Sequence, residues 1–267
     1  MNGTAFLERK ADGVVYQTAS VIAARHAFTT RYGGVSKGVY SSLNLGEHRG
    51  DAPEAVAENY RRLSAAAGID TARMAFTRQV HGNEVRIAAA EDVHTLGTEI
   101  PYTADGLVTA EPGLALICFA ADCIPVLLCD AVHGVIGAVH CGWRSSVADI
   151  LCAAWEQMCS LGARTENICA ALGPAIGFCH FEVGGEVVDA VEDYLYGDID
   201  GLVRPADAPE KYYLDLRAAN ARRLRQLGVP AENIAVSAEC TVCSNEKYWS
   251  HRYTHGVRGN QAALIVL

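Results

Sequence analysis

Residues 117–144 read ICFAADCIPVLLCDAVHGVIGAVHCGWR, and the fold turns on how they are read. Two apolar runs, 124–129 and 135–139, have the length and content of buried strands. Residues 130–134 between them are few and include a glycine, which suits a hairpin turn. Each run is bracketed by a soft metal ligand, Cys123 before the first and His140 after the second. In an antiparallel hairpin those two positions lie side by side at one end. A third donor, His81 in QVHG (79–82), follows a short apolar segment. One thiolate and two imidazoles make a zinc set, and three protein ligands leave a fourth position open for water or substrate. Spacing alone is weak support, because a Cys in an apolar run is usually a small core residue. Placement strengthens it: reactive groups sit at strand ends, with Gly142 allowing close backbone approach.

The rest of the chain alternates short apolar runs with helical periodicity. Strands are expected at 13–17, 24–29, 74–76, 84–87, 105–109, 114–119, 168–172, 235–237 and 262–266. A helix is expected from Asp51-Ala-Pro-Glu54, with Pro53 in its first turn, Val56, Tyr60, Leu63 and Ala67 on one face, and Gly68 ending it. A second should run from Ser145 or Ser146 to about Leu161, and others over 182–196 and 214–227. Hairpins and helical crossovers both occur, so the expected class is α/β (α+β) with mixed sheets, in one domain spanning 1–267. The second helix follows HCGWR (140–144), so its N-terminus would face the metal region and suit an anion, with the planar donor fork of Arg144 matched to phosphate. Residues 41–48 bury Leu43 and Leu45 and either present Asn44, His48 and Arg49 to a pocket or form a solvated loop whose Asn bonds its own backbone. Arg31 is either a second phosphate ligand or a surface arginine.

The motifs TRYGGVS (30–36), SLNLG (42–46), QVHG (79–82), ADG (104–106), ADC (121–123), HCGWR (140–144), LGP (172–174), ECT (239–241) and SHR (250–252) run in order through nearly the whole chain. Together they resemble the YfiH-like laccase-domain family, described as polyphenol oxidases and as zinc-dependent purine nucleoside phosphorylases. The resemblance implies a four-layer α/β/β/α sandwich and places the family's metal ligands on His81, Cys123 and His140. It implies Zn²⁺ as cofactor and phosphorolysis of adenosine, inosine, guanosine and S-methyl-5′-thioadenosine, with adenosine deamination as a related activity. Arg144 and Arg31 are then the phosphate candidates, and Asn44 and His48 weaker pocket candidates. His251 stands where the family more usually has an aromatic residue.

Composition bounds the alternatives. The formal net charge of −9 argues against a nucleic-acid partner, which needs a basic face. No apolar run approaches the roughly 20 residues that span a bilayer, and the first 13 residues lack the apolar core of a secretory signal. Ten cysteines in such a chain point to reduced thiols and a cytoplasmic setting. A multicopper cluster needs many histidines, commonly in His-x-His pairs; nine histidines with no such pair leave copper the less suitable metal. The His-x-Glu and Pro-Cys-x-x-Cys pattern of zinc deaminases is missing, as are phosphate-loop and dinucleotide glycine fingerprints. A Cys–His hydrolase is the rival, with Cys123 as nucleophile, His140 as base and Asp122 or Asp105 orienting it. A metal-stabilised binding protein without turnover is a third class. Cys240-Thr-Val-Cys243 has no second pair at zinc-ribbon spacing and is expected to be structural rather than redox-active. His26, His94, His133, His180 and His255 are expected at the surface or satisfied in the core, and Cys179 has no assignment.

Overall fold

The expected hairpin forms the middle of a sheet. In a computed structural model describing residues 5–267, strand Ile124–Asp130 pairs antiparallel with Val135–Cys141, in a register that sets Pro125 opposite His140 and Leu127 opposite Ala138. Both strands are buried along their whole length, which is why they read as continuous apolar runs rather than alternating ones. Their sheet has six strands in the order Ile234–Val236, Cys169–Leu172, Ile124–Asp130, Val135–Cys141, Gly106–Thr109, Val85–Ile87. The two outermost pairings are parallel and the inner three antiparallel. A second six-stranded sheet runs Phe6–Ala11, Val14–Ala19, Arg25–Thr29, Gln261–Val266, Ala115–Ala120, Met74–Ala75.

Side-chain alternation builds the layers. Leu127, Cys129, Ile136 and Ala138 point at the other sheet, meeting Leu116, Cys118, Ala263 and Ile265 in a core between the sheets. Val126, Leu128, Val135, Val139 and Cys141 point the opposite way, onto helices Ile150–Ser160, Gly185–Tyr194 and Leu216–Gln226. The far face of the second sheet packs Ile117, Ala262 and Leu264 against Val56, Tyr60 and Leu63 of helix Pro53–Ala67. Gly68, at φ 65°, ends that helix in the left-handed region. The result is the α/β/β/α sandwich. A three-stranded sheet, Glu182–Gly184, Lys211–Leu214, Val203–Pro205, sits beside it.

Two expected helices need correction. The one after Arg144 is broken: Trp143–Val147 and Ile150–Ser160 are separate helices, and neither Ser145 nor Ser146 caps the first, whose N-cap is Gly142. The break lies at Asp149, whose φ is 61° and whose carboxylate pairs with Arg223 at 2.5 and 3.0 Å. Residues 182–184 form a strand, and the helix begins only at Gly185. Strands Phe6–Ala11, Val203–Pro205 and Lys211–Leu214 were not expected. Phe6–Ala11 is an exposed edge carrying Glu8, Arg9 and Lys10, so it has no apolar signature.

Leu127 is fully buried in the core between the sheets. Leu127→Ala is expected to cost about 2–5 kcal/mol in urea unfolding, the usual price of a core Leu truncation. A loss under about 1 kcal/mol would mean that the two sheets are not packed as described.

Candidate functional site

Alternation along the hairpin also delivers the site. His140 continues the 136, 138 face of its strand, and Cys123 the 125, 127, 129 face of its partner, so both project at the end of the core between the sheets. His81 arrives from the turn at 80–82 with φ 62°, a left-handed conformation uncommon outside glycine. Its Nε2 lies 3.8 Å from Cys123 Sγ, and its ring meets that of His140 edge-on, centroids 4.8 Å apart. The donor atoms of His81, Cys123 and His140 all fall within 4.8 Å of one another.

Asp105 assembles this trio. Its buried carboxylate accepts from the amides of Val80, His81 and Gly82 at 2.9–3.0 Å and from His140 Nδ1 at 2.8 Å. A carboxylate that accepts backbone bonds cannot also donate to the ring, so His140 donates from Nδ1, and Nε2 is the nitrogen left to ligate once an ion displaces its proton. Burial opposes the charge on Asp105, but His140 and the amides outweigh it and hold the carboxyl below its ordinary range. Gly142 is needed for space: a Cβ there would stand 2.9 Å from His81 Cδ2 and 3.2 Å from Cys123 Sγ.

The donor set fits a metal ion. Burial alone would raise the Cys123 thiol, yet the His140 and His81 imidazoles bring it down to about 6. Burial likewise disfavours a charged His140, and the Cys123 thiolate with Asp105 lifts it to about 9. Thiolate and imidazolium therefore coexist at neutral pH, as a paired charge that a cation displaces. The Asp122 carboxylate, at φ 84°, is held by Thr241 Oγ1 at 2.5 Å and the Arg252 amide at 2.6 Å, so of the two carboxylates weighed as orienting groups only Asp105 bonds His140.

The trio opens onto a cleft of about 440 Å³ walled by Phe119, Trp143 and Phe181, with Arg49, His251 and Arg258 on its rim. The polar residues singled out in the sequence go elsewhere. Arg144 is exposed, stacked 4.3 Å over Trp143 outside the cleft lining. Arg31 donates to the carbonyls of Ser41 and Asn245 and lies 3.9 Å over Trp249. Asn44 is buried and bonded to Gly46, Asp51 and the Asn260 amide, closer to the self-bonded reading. His48 lines a neighbouring cleft, which shares Arg49 and Gln79 with the first. Arg258 escaped the sequence reading because its loop has no pattern. Burial and repulsion from Arg49 bring its guanidinium down to about 10, and neither arginine has a carboxylate partner among the described residues.

The expectation for His180 needs correction. It is neither a lone surface nor a satisfied core histidine, because Cys179, His180, Cys240 and Cys243 gather their donor atoms within 4.8 Å. The one sequence signal was the adjacent Cys-His pair, 60 residues before the CxxC.

Fold and site define a class: α/β/β/α sandwiches that bring one thiolate and two imidazoles together at the end of a core between sheets. The family model described as multi-copper polyphenol oxidoreductase laccase matches residues 25–267, and the chain belongs to that family. A protein of Deinococcus radiodurans named purine nucleoside phosphorylase is 39% identical over 96% of this chain and 94% of its own. One of Mycobacterium bovis with the same name is 42% identical over 85% and 86%. The crystal structure of YlmD from Geobacillus stearothermophilus superposes with a TM-score of 0.91 at 33% identity, covering 99% of both chains.

Metal uptake is expected to weaken as pH falls through about 9, where His140 takes up the proton that an ion must displace, and more steeply below about 6, where Cys123 is protonated as well. Asp105→Ala should lower metal affinity roughly 10–100-fold at neutral pH by freeing the His140 ring and the 80–82 turn. Competition with a chromophoric chelator measures both. Affinity flat from pH 5 to pH 8 would rule out both residues as ligands, and an unchanged slope through pH 6 would rule out Cys123.

Proposed function

We propose that this chain is a zinc-dependent purine nucleoside phosphorylase acting on adenosine, inosine, guanosine and S-methyl-5′-thioadenosine, with adenosine deamination as a second activity. The observation that carries the reading is the convergence of His81, Cys123 and His140 at a cleft with aromatic walls and an unpaired cationic rim. The names of the relatives support the same assignment. Zinc fits a set of one thiolate and two imidazoles with an open position, and when bound supplies Lewis acidity or an activated water. Copper chemistry of the multicopper kind finds no support in nine histidines without a His-x-His pair. Ten cysteines without a disulfide suit a reducing, cytoplasmic setting.

The chain's own groups divide the remaining work. Phe119, Trp143 and Phe181 offer faces on which a purine stacks while the cleft excludes water. Arg258 and Arg49 hold phosphate: two guanidiniums without carboxylates, one of them half-buried, gain most from a bound anion. Arg258 also donates to the Gly259 carbonyl and to Asn260, but it and Arg49 line the cleft, which Arg144 and Arg31 do not. His251 stays neutral, because burial and Arg258 lower its pKa, and it can bond the nucleoside without repelling the arginines.

A second reading is favoured by one observation. Cys123, His140 and Asp105 are arranged as nucleophile, base and orienting carboxylate, with the thiol near 6. Against it, His81 also faces the sulfur, which a nucleophile does not need and a metal site does.

Metal-replete protein incubated with adenosine should yield adenine and ribose 1-phosphate when phosphate is present, and inosine when it is absent. No product under either condition would leave a binding protein. Cys123→Ala should abolish zinc binding at this site and turnover together; a hydrolase would instead form a thiol adduct in metal-free protein. Arg258→Ala should raise the KM for phosphate about 30-fold, the equivalent of about 2 kcal/mol for a lost charge-assisted bond, and leave deamination nearly intact. Arg144→Ala should change the phosphate KM less than about 3-fold; the opposite ranking would return phosphate to Arg144.

A further inference from the structure

Outside the cleft, a second cluster gathers three sulfurs and one imidazole. Cys179 and Cys243 Sγ lie 3.5 Å apart, and His180 Nδ1 lies 3.2, 3.7 and 3.4 Å from the sulfurs of Cys179, Cys240 and Cys243. A tetrahedral zinc ion with Zn–S near 2.3 Å and Zn–N near 2.0 Å sets its ligands roughly 3.5–3.8 Å apart. We propose that Cys179, His180, Cys240 and Cys243 form a second, closed zinc site whose role is structural.

The surroundings are built for thiolates. The backbone amide of Gly177 donates to the Cys240 sulfur at 3.2 Å. An amide aimed at the sulfur stabilises the negative charge of a thiolate. Gly177 is closely hemmed in: a Cβ would stand 3.0 Å from Cys240 Cβ, 3.1 Å from Arg217 and 3.2 Å from Cys179 Sγ. Three thiolates against one dication leave the site formally at about −1, and two cations lie beside it. Arg217 approaches behind Gly177, and Arg252 donates to the His180 carbonyl at 3.1 Å. Four protein ligands leave no open position, which separates this site from the three-ligand one. Binding consumes the thiolate forms and releases the thiol protons to solvent; no redox step is involved.

The placement gives the ion a task. It ties residues 177–180 to the turn at 240–243. From the first segment Phe181 reaches the cleft wall; from the second Thr241 holds the carboxylate of Asp122, next to Cys123. Arg252 joins the two ends, its guanidinium on the carbonyls of His180 and Glu182 and its amide on Asp122. Without the ion, the two segments are joined by the Ala175–Cys240 bridge, the Thr241 amide on the Ala175 carbonyl and Arg252, none of which fixes residues 179, 180 and 243 to one another.

The site requires about two zinc ions per chain in protein purified without added metal, falling to one in Cys240→Ser/Cys243→Ser and also to one in Cys123→Ser. The two losses are independent, so failure of the catalytic site and failure of this one are told apart. Should the double variant not fold, two measurements on intact chains decide. Cys179 and Cys243 are exposed, yet they should resist iodoacetamide until a chelator is added. Cobalt loaded into Cys123→Ser should give the intense charge-transfer band of a thiolate-rich tetrahedral site. One zinc in the wild type, alkylation indifferent to chelator, or a Cys179–Cys243 disulfide in peptides digested without reductant would each overturn the site.

Discussion

Four hydrogen bonds converge on the buried carboxylate of Asp105, from the amides of Val80, His81 and Gly82 and from Nδ1 of His140. Each bond to a charged group is worth about 1.5–3 kcal/mol, and together they make one carboxylate the joint between three distant segments. One oxygen, Oδ1, serves both histidines: it receives the amide of the first and the ring of the second. The Asp105 carbonyl also accepts the His140 amide at 2.7 Å, so the strand bearing the carboxylate is locked to the strand bearing the ligand. The left-handed backbone at His81 persists because this carboxylate over-determines it.

Placing a reactive centre at the end of a core between sheets has two consequences. The walls are apolar and rigid, since the same strands that carry Cys123 and His140 fill the core behind them. The local dielectric is low, so charges act strongly on one another. A thiol near 6 and an imidazole near 9 are the outcome of that mutual pull overcoming the penalty of burial. The same physics acts on Arg258, half-buried and repelled by Arg49, whose guanidinium is brought down to about 10.

Much of this was legible before any coordinates. The hairpin, helix Pro53–Ala67 and most strands of the two sheets follow from apolar runs, turn residues and a capping glycine, all of them local signals. What was missed had no local signal. Phe6–Ala11 is a charged edge strand, and Asp149 breaks a helix through a partner, Arg223, 74 residues away. Arg144 and Arg31 invited a phosphate role because arginine next to a motif looks free; Arg31 has found partners more than 200 residues away, at Asn245 and Trp249, and Arg144 stacks on its own neighbour Trp143 outside the cleft lining.

From the chain of letters alone came the α/β class, the pairing of Cys123 with His140 and the family. Strand periodicity and hairpin register are short-range geometry, and ordered motifs need no coordinates. Only the tertiary structure decided which carboxylate holds the ring of His140, which arginines face the cleft, and that Cys179 and His180 meet a CxxC 60 residues further on. Those outcomes depend on how sheets and loops stack in space, where contact is set by packing rather than by distance along the chain.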